Sequence, residues 1–298
     1  MSPETVGAIA EPPQTGEVGL TAKEIAALEE KAMFVRTETV RLISIAKTGH
    51  YASTFSCAEI FASLYYDVMD LRRGEPDWDE RDRFVMGKGH AAVGLYPLLA
   101  DWDFFDKSIL DEYTRLGNPL GDHPDMTIIP GIDFSSGTLG HALSTGLGMA
   151  MGSKITGKPF DVFVLLGDGE LHEGQIWEAA MSASHHEVSN LIAIVDRNQF
   201  SLDGKVDDII GLEPLTDRWA SFGWEVHEVD GHDIAALTAL LRTLKNRPSG
   251  SKPVVVIAHT VKGKGVEFME SELGWHLGWL DAADEEAVYA ELAEGLKK

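Results

Sequence analysis

This sequence is expected to form a doubly wound α/β domain with a mostly parallel sheet, on three observations. Short apolar runs rich in β-branched and aromatic residues show little alternation, as strands buried on both faces require. Segments of helical periodicity fill the intervals between those runs. A chain of 298 residues suffices for one large domain or two small ones, and the steady alternation of strand and helix patterns favours one.

Along the chain, residues 1–20 carry Pro3, Pro12 and Pro13 amid Gly and Glu and read as a flexible extension, leaving 21–298 as the domain. Ile25, Leu28, Ala32, Val35, Ile43 and Ala46 mark a long amphipathic helix ending near Thr48-Gly49. Ser56 is placed to cap a helix continuing through Leu64, with Cys57 as a small core residue. Residues 137–154 are rich in Gly, Ala and Met, a pattern that suits either a dimer-facing helix or a tight contact between helix and sheet. Central strands are expected at 160–166 and 191–195, joined by a crossover helix on which Ile176, Trp177, Ala180 and Ala183 recur at helical spacing. Further strands at 224–229 and 254–259 flank a helix at 234–244, and His232 falls in its entry turn. Lys262-Gly263-Lys264-Gly265 reads as a flexible basic loop, Trp275 as a core anchor and 284–296 as a surface helix.

The formal charge of −23, from 48 acidic and 25 basic residues, argues against nucleic acid or a membrane surface as partner. Cys57 is the only cysteine, so no intrachain disulfide forms and a reducing compartment fits. With no 18-residue apolar run and no basic segment leading into an apolar core, a cytoplasmic chain is expected.

Chemistry concentrates at Gly167-Asp168-Gly169, with Asn198 following 30 positions after Asp168. A Gly-Asp-Gly turn alone is commonplace. Here it closes one buried strand while Asn198 follows the next, and ligands of open α/β sheets bind beyond such carboxyl ends. Two hard oxygen ligands at neighbouring strand ends suit a Mg²⁺ ion holding a diphosphate. Gly169, lacking a Cβ, lets its N–H approach that group closely.

These residues resemble the thiamine diphosphate signature, and the surrounding sequence is similar to the N-terminal half of transketolase. The likeness includes Thr48-Gly49-His50, the run from Arg83 to His90, Gly121-Asp122-His123-Pro124, Ser136-Gly137-Thr138-Leu139-Gly140, and Lys262-Gly263-Lys264-Gly265 with Trp275-His276. It extends over roughly Thr21 to Leu280. The resemblance implies a thiamine diphosphate-binding fold in which the side chains of Asp168 and Asn198 and the backbone carbonyl of Phe200 hold Mg²⁺, with Ca²⁺ or Mn²⁺ as substitutes. It implies cofactor contacts at His90, Ser136, Gly137, Leu139, Gly167, Asp168, Gly169, Glu170, Asn198, Lys262 and His276. His50, His123 and His276 then handle hydroxyl protons, work that suits imidazole because its ordinary pKa lies near the operating pH. Glu173 joins that catalytic group through a carboxylate network between two active sites, although a helix N-terminus also favours an acidic residue there.

Full-length members of that family continue into pyrimidine-binding and C-terminal domains. The resemblance is therefore to the N-terminal subunit of a split, two-component transketolase. That resemblance implies a chain that is inactive alone and forms an α2β2 heterotetramer with a separate C-terminal subunit, the assembly moving a glycolaldehyde unit from a ketose phosphate to an aldose phosphate. A deoxyxylulose phosphate synthase fragment, a non-catalytic regulatory paralogue and the α subunit of a 2-oxo acid dehydrogenase are the competing readings. A dinucleotide site lacks its Gly-x-Gly-x-x-Gly turn. Departures from the family pattern are Tyr51 after His50, expected to alter the donor pocket, Asp122 placed to hold the His123 ring, and His141 where many relatives carry Gln.

Overall fold

The computed structural model describes residues 19–248 and 250–295, so nearly all of the extension expected at 1–20, and the last residue of the helix expected at 284–296, lie outside the described residues. Its elements run α1 (Ala22–Ala46), α2 (Tyr51–Phe55), α3 (Ala58–Ser63), β1 (Arg83–Met86), α4 (Ala92–Asp101), α5 (Ala142–Thr156), β2 (Val162–Gly167), α6 (Gly174–His185), β3 (Leu191–Arg197), α7 (Val206–Ile209), α8 (Leu215–Ser221), β4 (Glu225–Asp230), α9 (Ile234–Lys245), β5 (Val254–His259) and α10 (Ala282–Gly295). Thr21 opens α1 with a capping box: its hydroxyl accepts from the Glu24 N–H while the Glu24 carboxylate accepts from the Thr21 N–H. Lys47 closes the helix in the left-handed region at φ 58°.

The five strands are parallel throughout, in the order β1-β2-β3-β5-β4. Their side chains divide by strict alternation. Phe163, Leu165, Ile192, Ile194, Val254 and Val256 enter one apolar core with α1, α3, α4 and α9. Val162, Val164, Leu191, Ala193, Val195 and Val255 enter the other with α5, α6 and α8. Both faces are covered, which is why the strands read as unbroken apolar runs.

Gly146 of α5 sits directly on the sheet, since a Cβ there would run into Val164 Cγ2, while Gly148 and Gly152 face open space. Ser56 does not cap α3 as its sequence position suggested. Cys57 takes the N-cap place without a side-chain bond, and the Ser56 hydroxyl instead donates to Asp196 at 2.7 Å. Tyr51 is fully buried in the core, where its hydroxyl accepts from the Leu280 N–H at 3.3 Å, so it does not shape a pocket beside His50 as expected.

Candidate functional site

The carboxyl ends of β1, β2, β3 and β5 deliver Lys88 and His90, Asp168, Asn198, and Lys262 to one cleft of about 440 Å³. Parallel register pairs Gly167 with Asp196, which brings Asp168 beside the end of β3. A hollow of about 660 Å³ lies elsewhere, at Arg81, Asp133 and Met126, but its Arg81–Asp133 ion pair is already satisfied at 2.7 Å.

Asp168 is buried, and burial together with Asp196 pushes its carboxyl up to about 6 despite the Arg197 hydrogen bond. Its Oδ2 accepts from Arg197 at 3.0 Å and from the Gln199 N–H at 2.5 Å, while Oδ1 accepts from the Gly169 N–H at 2.8 Å. Gln199 adopts a left-handed backbone, φ 69°, to make its contact. Asn198 Nδ2 donates to Asp196 at 3.0 Å, and Asn198 Oδ1 accepts only the Phe200 N–H, at 3.1 Å. Each of the two side chains thus keeps an oxygen lone pair unclaimed. Among the described residues no group of three or more His, Cys, Asp or Glu could hold a metal, so a metal here would rest on this mixed carboxylate, amide and carbonyl set. Such oxygen donors suit Mg²⁺, Ca²⁺ or Mn²⁺.

Two buried ammonium groups stand near the carboxylates of Asp168 and Asp196. Lys262 donates to the Ser201 carbonyl at 2.9 Å, and burial with the nearby Lys88 brings its ammonium down to about 8. Lys88, absent from the residues expected above, is paired with Asp196 and donates to the Ser53 carbonyl at 2.6 Å. It lies within the Arg83 to His90 run that carries the resemblance, between Gly87 and Gly89 at the end of a strand, but the resemblance assigns it no role there.

The histidines cluster. The His50 ring lies 5.0 Å from His90, 5.3 Å from His276 and 6.4 Å from His123, centroid to centroid. Burial, then Lys88 and the neighbouring rings, holds His90 well below the usual imidazole range. Burial, then Lys262, brings His276 down to about 4. Both are therefore neutral near pH 7. Asp122 stands between two rings, 3.5 Å from His50 Nδ1 and 3.4 Å from His123 Nδ1. His141 is exposed at the start of α5, outside the cleft lining.

Glu170 turns inward, accepting from the N–H groups of Gly140 at 2.9 Å and Gly167 at 3.1 Å, and burial raises its carboxyl to about 7. It ties the backbone at Gly140 to that at Gly167. Gly137, at φ 152°, lies against the His123 ring, and Leu139 lines the rim. Glu173 is exposed at the N-cap of α6 with no side-chain cap bond, and its Cβ packs where Gly140 lacks one.

His50 Nδ1, Ser53 Oγ and His276 Nδ1, all on residues lining the cleft, are buried without a hydrogen-bond partner, as is Ser136 Oγ beside Gly137. Native chains rarely leave such atoms unmet, so this cleft is complementary to a polar guest. With two lysines, neutral imidazoles and an oxygen pair, the residues present fit a metal-bound diphosphate despite the chain's overall acidity.

The family model for "Transketolase, thiamine diphosphate binding domain" matches residues 28–293. The chain belongs to the transketolase thiamine diphosphate-binding family. Within it, the chain is 37% identical over 275 residues to one subunit of the apulose-4-phosphate transketolase of Phocaeicola vulgatus, covering 92% of this chain and 97% of that one. It is 38% identical over 265 residues to the 6-deoxy-6-sulfo-D-fructose transketolase subunit SqwG of a Clostridium species, covering 89% and 96%. Transketolase from Leishmania mexicana superposes with a TM-score of 0.83 at 26% identity, over 89% of this chain and 41% of that one. The transketolase of Campylobacter jejuni gives 0.82 at 26%, over 93% and 43%. This chain thus spans about two-fifths of the solved transketolases it matches, and nearly the whole of the two relatives named as subunits.

Proposed function

We propose that this chain is the diphosphate- and Mg²⁺-binding subunit of a two-component transketolase, with residues 21–298 as its domain and the cytoplasm as its compartment. The observation that carries the reading is the convergence of Asp168, Asn198 and Lys262 with four clustered histidines in one cleft at the strand ends. The near end-to-end match to relatives named as transketolase subunits supports a separate partner chain. That partner brings the pyrimidine-binding and C-terminal domains, in an α2β2 assembly.

Thiamine diphosphate, when bound, supplies the carbanion and the electron sink for carbon–carbon cleavage. Asp168, Asn198 and the Phe200 carbonyl hold the metal, and Lys262, His90, Ser136, Gly137, Leu139, Gly167, Gly169, Glu170 and His276 form or support the cofactor bed. Neutral His276 offers an unprotonated nitrogen. His50 and His123, with Asp122 between them, orient sugar hydroxyls and move their protons while a two-carbon ketol unit passes from ketose to aldose. Glu173 belongs to the contact with a second active site. A phosphorylated or sulfonated sugar is the substrate class proposed, in keeping with the sugars for which the two subunit relatives are named.

Turnover with thiamine diphosphate, Mg²⁺ and a panel of ketose and aldose phosphates, with and without the neighbouring-gene partner, tests this reading. Activity only in the two-chain mixture is the expected result. No two-carbon transfer from a stable, cofactor-loaded complex across phosphorylated and sulfonated sugars would overturn it.

A further inference from the structure

His232 has a place in the entry turn of α9, where its N–H donates to Asp230 at 2.9 Å, yet its ring is turned into the molecule. Nδ1 lies 3.0 Å from Glu59 Oε2, and Nε2 lies 2.8 Å from the Val261 nitrogen. A backbone N–H can only donate, so Nε2 accepts and Nδ1 carries the proton toward Glu59. The ring is thereby fixed as one neutral tautomer. Glu59 is gripped in turn by both terminal nitrogens of Arg36, each at 2.8 Å, and Arg36 also donates to the Phe55 carbonyl at 2.9 Å.

This chain of contacts ends one residue before Lys262. Past Val261 the loop is held on other sides: the Gly263 N–H donates to the Ala52 carbonyl at 2.9 Å, and a Cβ at Gly263 would run into the Met269 carbonyl oxygen. Gly231 fits closely beneath, with Thr260 Cγ2 against the place its Cβ would take. Lys262 is almost fully buried and its ammonium donates to the Ser201 carbonyl at 2.9 Å, so a shift of its backbone would have to be absorbed by the stem or break that contact.

We infer that His232 is a positioning residue: by accepting the Val261 N–H, and being locked by Arg36 and Glu59, it fixes the loop that aims Lys262 into the cleft. This rests on the proposed function, in which Lys262 meets the diphosphate. His232 touches neither cofactor nor substrate.

The test uses the full chain with His232→Gln, His232→Asn and His232→Ala. A glutamine amide oxygen reaches the Nε2 position and keeps the Val261 bond. Asparagine reaches only the Nδ1 position and loses it. Hydrogen exchange of the amides at 261–265 in the unliganded chain is read first, then binding of thiamine diphosphate with Mg²⁺ in the presence of the partner chain. Asparagine and alanine should speed exchange in that loop and weaken binding by about ten-fold each, while glutamine stays within about three-fold of the wild type. If glutamine and asparagine behave alike, or the loop exchanges as in the wild type, the inference fails. The pair of amide variants decides the matter even if alanine does not fold. Absence of thiamine diphosphate binding by the wild type together with its partner chain would instead defeat the cofactor reading, and the exchange result would still judge His232.

Discussion

Lys88 and Asp196 form an ion pair beneath the cleft although one follows β1 and the other lies in β3, with β2 between them. The lysine stem crosses the intervening strand at Gly167, whose missing Cβ would stand 3.8 Å from Lys88 Cδ. Asp196 gathers four donors, Lys88, Ser56 and Thr260 from distant parts of the chain and Asn198 from two residues along. Through Asn198 this buried carboxylate reaches the proposed metal-binding oxygen, so the same node that joins the strands also orients the site.

Removal of its counter-charge should therefore be costly. In Lys88→Met, Asp196 stays buried with only neutral donors, and breaking one side of a buried pair typically costs about 3–5 kcal/mol. Urea unfolding of the variant should show a loss of that size with the slope unchanged. A loss below about 1 kcal/mol would mean that the pair is not held as described.

Acid should weaken the fold through Glu59. Burial would raise its carboxyl, but Arg36 and His232 outweigh that and bring it down to about 2 from 4.5. A group depressed in the folded chain contributes stability above its unfolded value and loses it as the pH falls through the folded one. The window is pH 4.5 down to 2, and the amount is on the order of 3 kcal/mol. Glu59→Gln should start from lower stability at neutral pH and show a flatter acid limb. Identical slopes in variant and wild type across that window would count against the assignment.

Much of this was readable because it is local or periodic. The β5 strand emerged at its full length, since Val254 to Ala258 form a run that a strand buried on both faces requires. Asp168 and Asn198 were legible as a pair because one βαβ unit separates them. What escaped depends on contacts between remote segments. Ser56 looks like a helix cap until Asp196, 140 positions away, takes its hydroxyl. Tyr51 follows a cleft histidine in sequence, but one residue along a helix turns a side chain by about 100°, here into the core. Lys88 and the ring of His232 find their partners only once β1, β3, α3 and β5 are assembled.

The proposed metal pair should be separable from the fold. In Asp168→Ala, Arg197 keeps its 2.6 Å contact with Glu213, so the guanidinium is not stranded. Calorimetry should find thiamine diphosphate binding no longer responsive to Mg²⁺, a drop beyond the roughly 100-fold that loss of an outer-shell partner costs. Retention of Mg²⁺-dependent affinity in a folded variant would remove Asp168 from the metal set.

His123 allows proton handling to be told apart from cofactor binding. Its side chain is 45% exposed at the cleft mouth, while the Asp168 and Asn198 oxygens lie at the strand ends. Nothing in the packing of the core depends on this ring. His123→Ala should therefore leave thermal stability and the affinity for thiamine diphosphate with Mg²⁺ within about three-fold, less than one lost hydrogen bond commonly costs. With the partner chain present, kcat should fall by about 10²–10⁴, the usual contribution of a positioned acid or base. Asp122→Asn should produce a smaller loss, because it leaves the ring in place and removes only the charge beside Nδ1 of His50 and His123. Should His123→Ala lower cofactor affinity in proportion to kcat, the ring belongs to the cofactor bed rather than to the sugar's protons.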